Sequence, residues 1–278
     1  MCSEFPYEFI IQGVSIMIKV TVLGAWGTED VGETSSFLVE LEGFKMVLDM
    51  CPGVARQLKR VGFAMKDMDM AFGSHVHSDH ILGATYLLFQ HSVETRGMDE
   101  GSYKPFTFLG EKDVLDTLDQ VVKLHYPDRG FTYNKIECID NGVIDTGKGV
   151  QIRTVQNDHT VPTMAIRLEW KGKSICYTSD GLLNSSIYEL AQGVDLLIGE
   201  AFGSMSLYAD KYKKVKHTLG TDLGQLAKQS GAKFLLPFHM NPIYETNKEK
   251  KRELLKEIRK DYTGEIIWPS DLKEIILT

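Results

Sequence analysis

Residues 74–80 read Ser74-His75-Val76-His77-Ser78-Asp79-His80 and follow Met70-Ala71-Phe72-Gly73, a short apolar run with the character of a buried strand. Three imidazoles and a carboxylate therefore fall within six residues at a strand end. His75 and His77 are two apart, so an extended segment points both to one side, while Asp79 and His80 at the following turn reach a second position nearby. One loop can thus begin two metal sites. The alternative is a polar surface loop, or one core histidine followed by a helix-capping Asp79; four potential ligands in this order favour the metal.

Upstream of this loop the pattern is β-rich. Strands are expected over 18–24, 36–41 and 44–49, separated by the Gly/Thr/Ser-rich stretch 27–35 and by Gly43. Pro52-Gly53 opens a helix to about residue 60, with Val54, Leu58 and Val61 at helical spacing. Downstream, 81–91 is apolar enough for a buried helix, and 112–124 forms another with Val114, Leu115, Leu118, Val121 and Val122 on one face. Strands return at 134–139, 150–156, 163–170 and 173–178, with Gly172 as a hairpin signal. Helices over 185–192 and 222–229 lead to strands 194–198 and 234–238, a charged helix covers 247–260, and 264–277 supplies closing strands. No linker, repeat or low-complexity block interrupts the sequence, so one layered α/β domain over 17–278 is expected in place of two.

Composition narrows the function classes. The 278 residues are 43% hydrophobic and 25% charged, which excludes wholesale disorder and collagen-like or low-complexity classes. A net charge of −7 gives no global positive field to draw the protein to nucleic acid or anionic lipid. Cys2, Cys51, Cys138 and Cys176 are scattered without a C-x-x-C pair and read as free thiols in a reducing compartment. The apolar run 9–11 is too short for a membrane span, and Glu4 and Glu8 stand where a signal peptide is basic. A cytoplasmic protein is expected, with 1–16 an N-terminal extension and Met17 a candidate start.

The His-x-His-x-Asp-His stretch resembles the signature of the metallo-β-lactamase superfamily, and later strand-end motifs carry the resemblance along nearly the whole chain: Asp158-His159, Thr178-Ser179-Asp180-Gly181 and Phe238-His239-Met240-Asn241. Taken singly, His159 and His239 read as structural histidines and Asp180 as a turn residue. Taken in order with the first motif, they read as ligands. The resemblance implies a four-layer αββα sandwich in which His75, His77 and His159 hold one metal, Asp79, His80 and His239 a second, and Asp180 bridges both with a shared hydroxide. It implies two divalent ions, zinc or else manganese. The di-iron flavoproteins of this superfamily carry Glu at the position of His77 and need a separate flavin domain.

Among branches of the superfamily, Asp180 argues against true β-lactamases. The stretches Gly199-Glu200-Ala201 and His217-Thr218-Leu219-Gly220 are similar to the ribonuclease Z group, which implies that His217 stabilises phosphate oxygens and protonates the leaving alkoxide while Glu200 holds it in register. The alternative for His217 is a basic-patch histidine beside Lys211, Lys213, Lys214 and Lys216. The chain departs from that group at Gly199, at Ser78 and in the opening Leu23-Gly24-Ala25-Trp26-Gly27, and only 21 positions separate His159 from Asp180, too few for a tRNA-grasping arm. With a net charge of −7 this favours a small phosphodiester over tRNA. The arm-less relatives so implied are cyclic-nucleotide phosphodiesterases, the anti-Pycsar enzymes and their bacterial homologues.

The expected function is thus a dinuclear-zinc phosphodiesterase for a cyclic nucleotide or similar small phosphodiester, with Asp79, His217 and Glu200 in catalytic roles. Alternatives are a tRNA 3′-processing endonuclease, a lactone, thioester or sulfate-ester hydrolase, and a binding protein with a vestigial site. A homodimer is implied by the resemblance, and no membrane association is expected. The lysines at 211–216 are candidates for holding a nucleotide phosphate. Trp26, Phe202, Tyr208 and Tyr244 are candidates for stacking on a base, each weighed against simple packing.

Overall fold

The computed structural model describes residues 17–99, 104–128, 130–209 and 211–278; the extension at 1–16, with Cys2, lies outside them. The first sheet contains β1 (Ile18–Gly24), β2 (Ser36–Leu41), β3 (Phe44–Leu48), β4 (Met70–Gly73), β5 (Phe106–Gly110) and β6 (Tyr133–Glu137), side by side in that order. The second contains β7 (Gly142–Asp145), β8 (Val150–Asn157), β9 (Thr163–Trp170), β10 (Lys173–Tyr177), β11 (Leu196–Glu200), β12 (Phe234–Phe238) and β13 (Glu265–Ile266). A last strand, β14 (Glu274–Leu277), returns to pair antiparallel with β1, Ile18 opposite Leu277. Each sheet is seven-stranded among the described residues.

Alternating side chains decide the layering. Val20, Val22 and Phe37 of the first sheet meet Ile166, Ile198 and Phe238 of the second in one buried core. On the outer face of the first sheet, Leu23, Leu38 and Val47 pack under helices Val54–Arg60, Ala84–Glu94 and Lys112–His125. On the outer face of the second, Ala165, Cys176 and Leu197 pack under helices Ser185–Leu190, Gly220–Ser230 and Lys248–Arg259. The result is an αββα sandwich, as expected from the sequence. Met65, Met68 and Met70 lie in these cores, and Cys51, Cys138 and Cys176 are buried free thiols. No helix among the described residues is long and apolar enough to cross a membrane.

Both sheets begin antiparallel and end parallel: β3, β4, β5 and β6 run together, as do β10, β11, β12 and β13. Parallel strands joined by helical crossovers deliver their C-terminal ends to one edge, where side chains from distant segments meet. That edge carries the site.

Several elements differ from the sequence reading. Strand β5 was not expected: all five of its residues are buried, so it shows no alternation. The strand expected at 194–198 runs instead over Leu196–Glu200. Buried Asp195 accepts the Ser174 backbone N–H at 2.8 Å and pairs with Lys233 at 2.7 Å, which delays the start, and parallel pairing of Gly199 and Glu200 with Pro237 and Phe238 prolongs the end. The helix expected at 81–91 is divided into Ser78–Ile81 and Ala84–Glu94 at Gly83, where a β-carbon would sit 2.2 Å from the Cys51 carbonyl oxygen.

Gly224 allows the helices Gly220–Ser230 and Lys248–Arg259 to approach closely. A β-carbon there would lie 2.5 Å from the Ile258 carbonyl oxygen, and backbone cannot move aside as a flexible side chain does. Gly224→Val is expected to lower stability by about 2–3 kcal/mol through overpacking, read as a lower urea midpoint with unchanged slope.

Candidate metal centre

The loop after β4 places His75 and His77 beside His159, which follows β8. His77 Nδ1 lies 3.0 Å from His75 Nε2 and 3.3 Å from His159 Nε2. The outer nitrogens fix the tautomers. Ser74 Oγ donates to Asp49 and therefore accepts from His75 Nδ1 at 2.9 Å, while His159 Nδ1 donates to the Lys216 carbonyl at 2.9 Å. Both rings consequently turn an Nε2 lone pair toward His77. Burial, reinforced by neighbouring imidazoles, holds all three below the usual histidine range, which keeps them neutral.

A second cluster joins Asp79 and His80 to Asp180, which follows β10, and His239, which follows β12. Asp180 Oδ2 is 3.5 Å from His80 Nε2 and 3.1 Å from His239 Nε2; Asp79 Oδ2 is 3.3 Å and 3.2 Å from the same atoms. Burial opposes charge on His80 and His239, but the Asp180 carboxylate and its neighbours outweigh it and push both histidines upward. Asp79 and Asp180, despite burial, are held below the usual carboxylate range by the same contacts. This part of the site stabilises positive charge.

Beside it, His217 Nδ1 hydrogen-bonds to Glu200 Oε1, and the other Glu200 oxygen accepts the backbone N–H of Gly181 and of Thr218, each at 2.9 Å. Glu200 is 1% exposed, and its charge raises His217 against the opposing effect of burial. Phe202 stacks on the His217 ring at 4.3 Å between centroids and 7° between planes. Gly181 has φ +140°, and a β-carbon there would lie 2.7 Å from Asn157 Nδ2, whose amide holds the turn by donating to the Thr178 and Asp180 carbonyls.

Sequence reasoning missed the hub of this arrangement. Asp49, fully buried after β3, accepts from Ser74 N–H at 2.7 Å, Ser74 Oγ at 2.8 Å, His80 Nδ1 at 2.6 Å and Tyr177 Oη at 2.5 Å. It thereby fixes the His80 tautomer and leaves Nε2 facing inward. Four site residues also take the left-handed backbone conformation: Asp49, Ser179 and His239 at φ +56° and Lys216 at φ +54°. Such strain concentrates where surrounding contacts over-determine the backbone.

An open cleft of about 500 Å³ leads to the site, lined by Thr28, Glu29, His77, Asp79, His217 and His239 among others. Of the aromatic candidates, Trp26 and Tyr244 are core residues and Tyr208 packs on Phe202. Lys211, Lys213 and Lys214 are exposed around the short helix Tyr212–Val215, while Lys216 turns away to pair with Asp158 at 2.7 Å.

The donor set fits metal ions. His75, His77 and His159 form one group of potential ligand atoms within 4.8 Å of one another, and Asp79, His80 and His239 form another. His80 Nε2 and Asp180 Oδ1, both facing the second cluster, are buried without a hydrogen-bond partner, while His239 Nδ1 faces Glu200 Oε1 at 3.5 Å. Buried polar atoms are rarely left in that state, and a cation is the partner that lone pairs and carboxylates require.

With this geometry in hand, comparison with known proteins is decisive for the family. The family model of anti-Pycsar protein Apyc1 matches residues 21–259. The chain belongs to the Apyc1 family. It is also 23% identical to ribonuclease Z of Aeropyrum pernix over 305 aligned positions, covering 90% of this chain and 96% of that one. Among solved structures, it resembles the metallo-β-lactamase fold protein YhfI from Bacillus subtilis (TM-score 0.76, 22% identity, 94% of this chain and 100% of that one). It also resembles human tRNase Z, short form (TM-score 0.72, 20% identity, 92% and 98%). This Apyc1-family protein has the metallo-β-lactamase fold and is a metal-dependent phosphodiester hydrolase of the ribonuclease Z-like branch.

Proposed function

We propose that the chain hydrolyses a small phosphodiester, foremost a cyclic nucleotide, with two divalent ions, zinc before manganese. The observation that carries the reading is the His217–Glu200 pair beside the two ligand clusters, at the floor of a cleft of nucleotide dimensions. His75, His77 and His159 would hold one ion, Asp79, His80 and His239 the other, and Asp180 both. Such ions supply a nucleophile from water near neutral pH and offset charge on the phosphoryl oxygens.

The chain's own residues do the rest. His217, whose protonated form the Glu200 carboxylate favours, donates its proton to the ribose alkoxide, which leaves poorly without one. Phe202 holds the imidazole in plane, and the two backbone N–H groups on Glu200 keep that carboxylate aimed at Nδ1. Neutral His75, His77 and His159 offer lone pairs without competing protons.

The interval from His159 to Asp180 supports a small substrate, since it is filled by the β9–β10 hairpin. Precursor tRNA is the second reading, favoured by the ribonuclease Z relatives. The metal-loaded protein is expected to cleave cyclic mononucleotides and bis(p-nitrophenyl) phosphate and to leave precursor tRNA intact, with metal content measured on the same sample. Failure on both small substrates refutes the proposal; cleavage of the tRNA alone selects the second reading. A cytoplasmic homodimer is part of the same proposal, and sedimentation at twice the 31.3 kDa chain mass would support it.

A further inference from the structure

We propose that Lys216 is a positioning residue that fastens the basic segment 211–217 onto His159, so that metal binding at His75, His77 and His159 and closure of that segment are one equilibrium. The inference rests on the metal reading of those three histidines and goes beyond it.

Three contacts from this single residue reach two adjacent residues at the end of β8. The Lys216 carbonyl accepts from His159 Nδ1 at 2.9 Å, and its ammonium donates to Asp158 Oδ1 at 2.7 Å and to the His159 carbonyl at 3.2 Å. The backbone is left-handed there, at φ +54°, a conformation in which a side chain bearing a β-carbon is disfavoured. The contacts to Asp158 and His159 are what hold it. The next residue is His217, fixed by Glu200 and by the Phe202 ring.

Two parts of the site are therefore joined through one peptide. A cation on His159 Nε2 requires the proton on Nδ1, and the Lys216 carbonyl is the acceptor that keeps it there. Binding to Nε2 fixes the ring and hence favours the docked segment; docking in turn prepares the ring for the cation. Coupling of this kind is reciprocal. Lys211, Lys213 and Lys214, exposed just upstream, travel with the segment. Their positive charge is then held in its docked place more firmly when the metal site is filled, which links readiness for an anionic substrate to metal loading.

The test uses the full chain, zinc, a chromophoric chelator and trypsin, with cleavage after Lys211, Lys213 and Lys214 followed by mass spectrometry. Zinc is expected to slow these cuts in the unsubstituted protein. Lys216→Ala should weaken zinc binding about fivefold, the scale of a surface ion pair, and abolish the zinc-dependent protection. Lys216→Arg should restore both, which a folding defect would not allow. Asp158→Ala should reproduce the Lys216→Ala effect, and the double variant should be no worse than either single one. If Lys216→Ala binds zinc and is protected like the unsubstituted protein, the inference is overturned. If the unsubstituted protein binds no zinc, the metal reading itself falls.

Discussion

His217→Ala is expected to lower kcat on a phosphodiester by about 10²–10⁴-fold while leaving metal content unchanged. The two halves of that expectation come from different atoms. His217 reaches Glu200 through Nδ1, and Asp180 Oδ2 is 3.8 Å away, so the imidazole borders the ligand clusters without being needed to complete the trio His75, His77 and His159 or the trio Asp79, His80 and His239. Its removal takes away a proton donor and leaves both trios whole. Glu200→Gln should lose part of the same factor, because its amide cannot hold a positive imidazole as a carboxylate does. Metal analysis beside the kinetics separates the outcomes. Full metal with full activity on the phosphodiester would remove His217 from the role of proton donor.

The second large effect lies in stability. Asp49→Ala strips the acceptor from Ser74 N–H, Ser74 Oγ, His80 Nδ1 and Tyr177 Oη, all in a region closed to water. Breaking a buried, multiply bonded carboxylate is expected to cost about 3–5 kcal/mol, measured as the urea midpoint of chelated protein. The free His80 ring should also reduce metal affinity by about 10–100-fold in chelator competition. A midpoint within experimental scatter of the unsubstituted protein would show that Asp49 is not the hub the geometry describes.

The contrast between Asp49 and His75 shows what a sequence can display. His75, His77, Asp79 and His80 form a pattern because their ligand spacing is set by one short loop, and local spacing survives in the linear text. The later residues His159, Asp180, Glu200, His217 and His239 become readable only in order, as strand ends, and the structure brings them together at the edge where parallel strands terminate. Asp49 has no partner near it in sequence: its contacts lie 25, 31 and 128 positions away. Its one visible sign is a charge inside Val47-Leu48-Asp49-Met50-Cys51, where an ionised side chain is buried only if paired. Lys216 is harder still, because its decisive atom is a backbone carbonyl. Strand β5 was invisible for a related reason, since burial on both faces erases the period of two. Trp26 and Tyr244, weighed as base-stacking candidates, are packing residues, Tyr208 packs on Phe202, and of the four candidates Phe202 is the one stacked on His217.

The division of the ligands between the sheets has a thermodynamic consequence. His75, His77, Asp79 and His80 hang from the first sheet, and His159, Asp180 and His239 from the second. On the proposed metal reading, ions held by both sets would act as a rivet through the sandwich, and each tenfold rise in free metal above the dissociation constant would add about 1.4 kcal/mol per bound ion to the folded state. The melting temperature of this chain is then a gauge of metal supply. On that reading, a metal-starved cell would see the protein unfold more often and be cleared sooner, so that its abundance as well as its activity would follow metal supply.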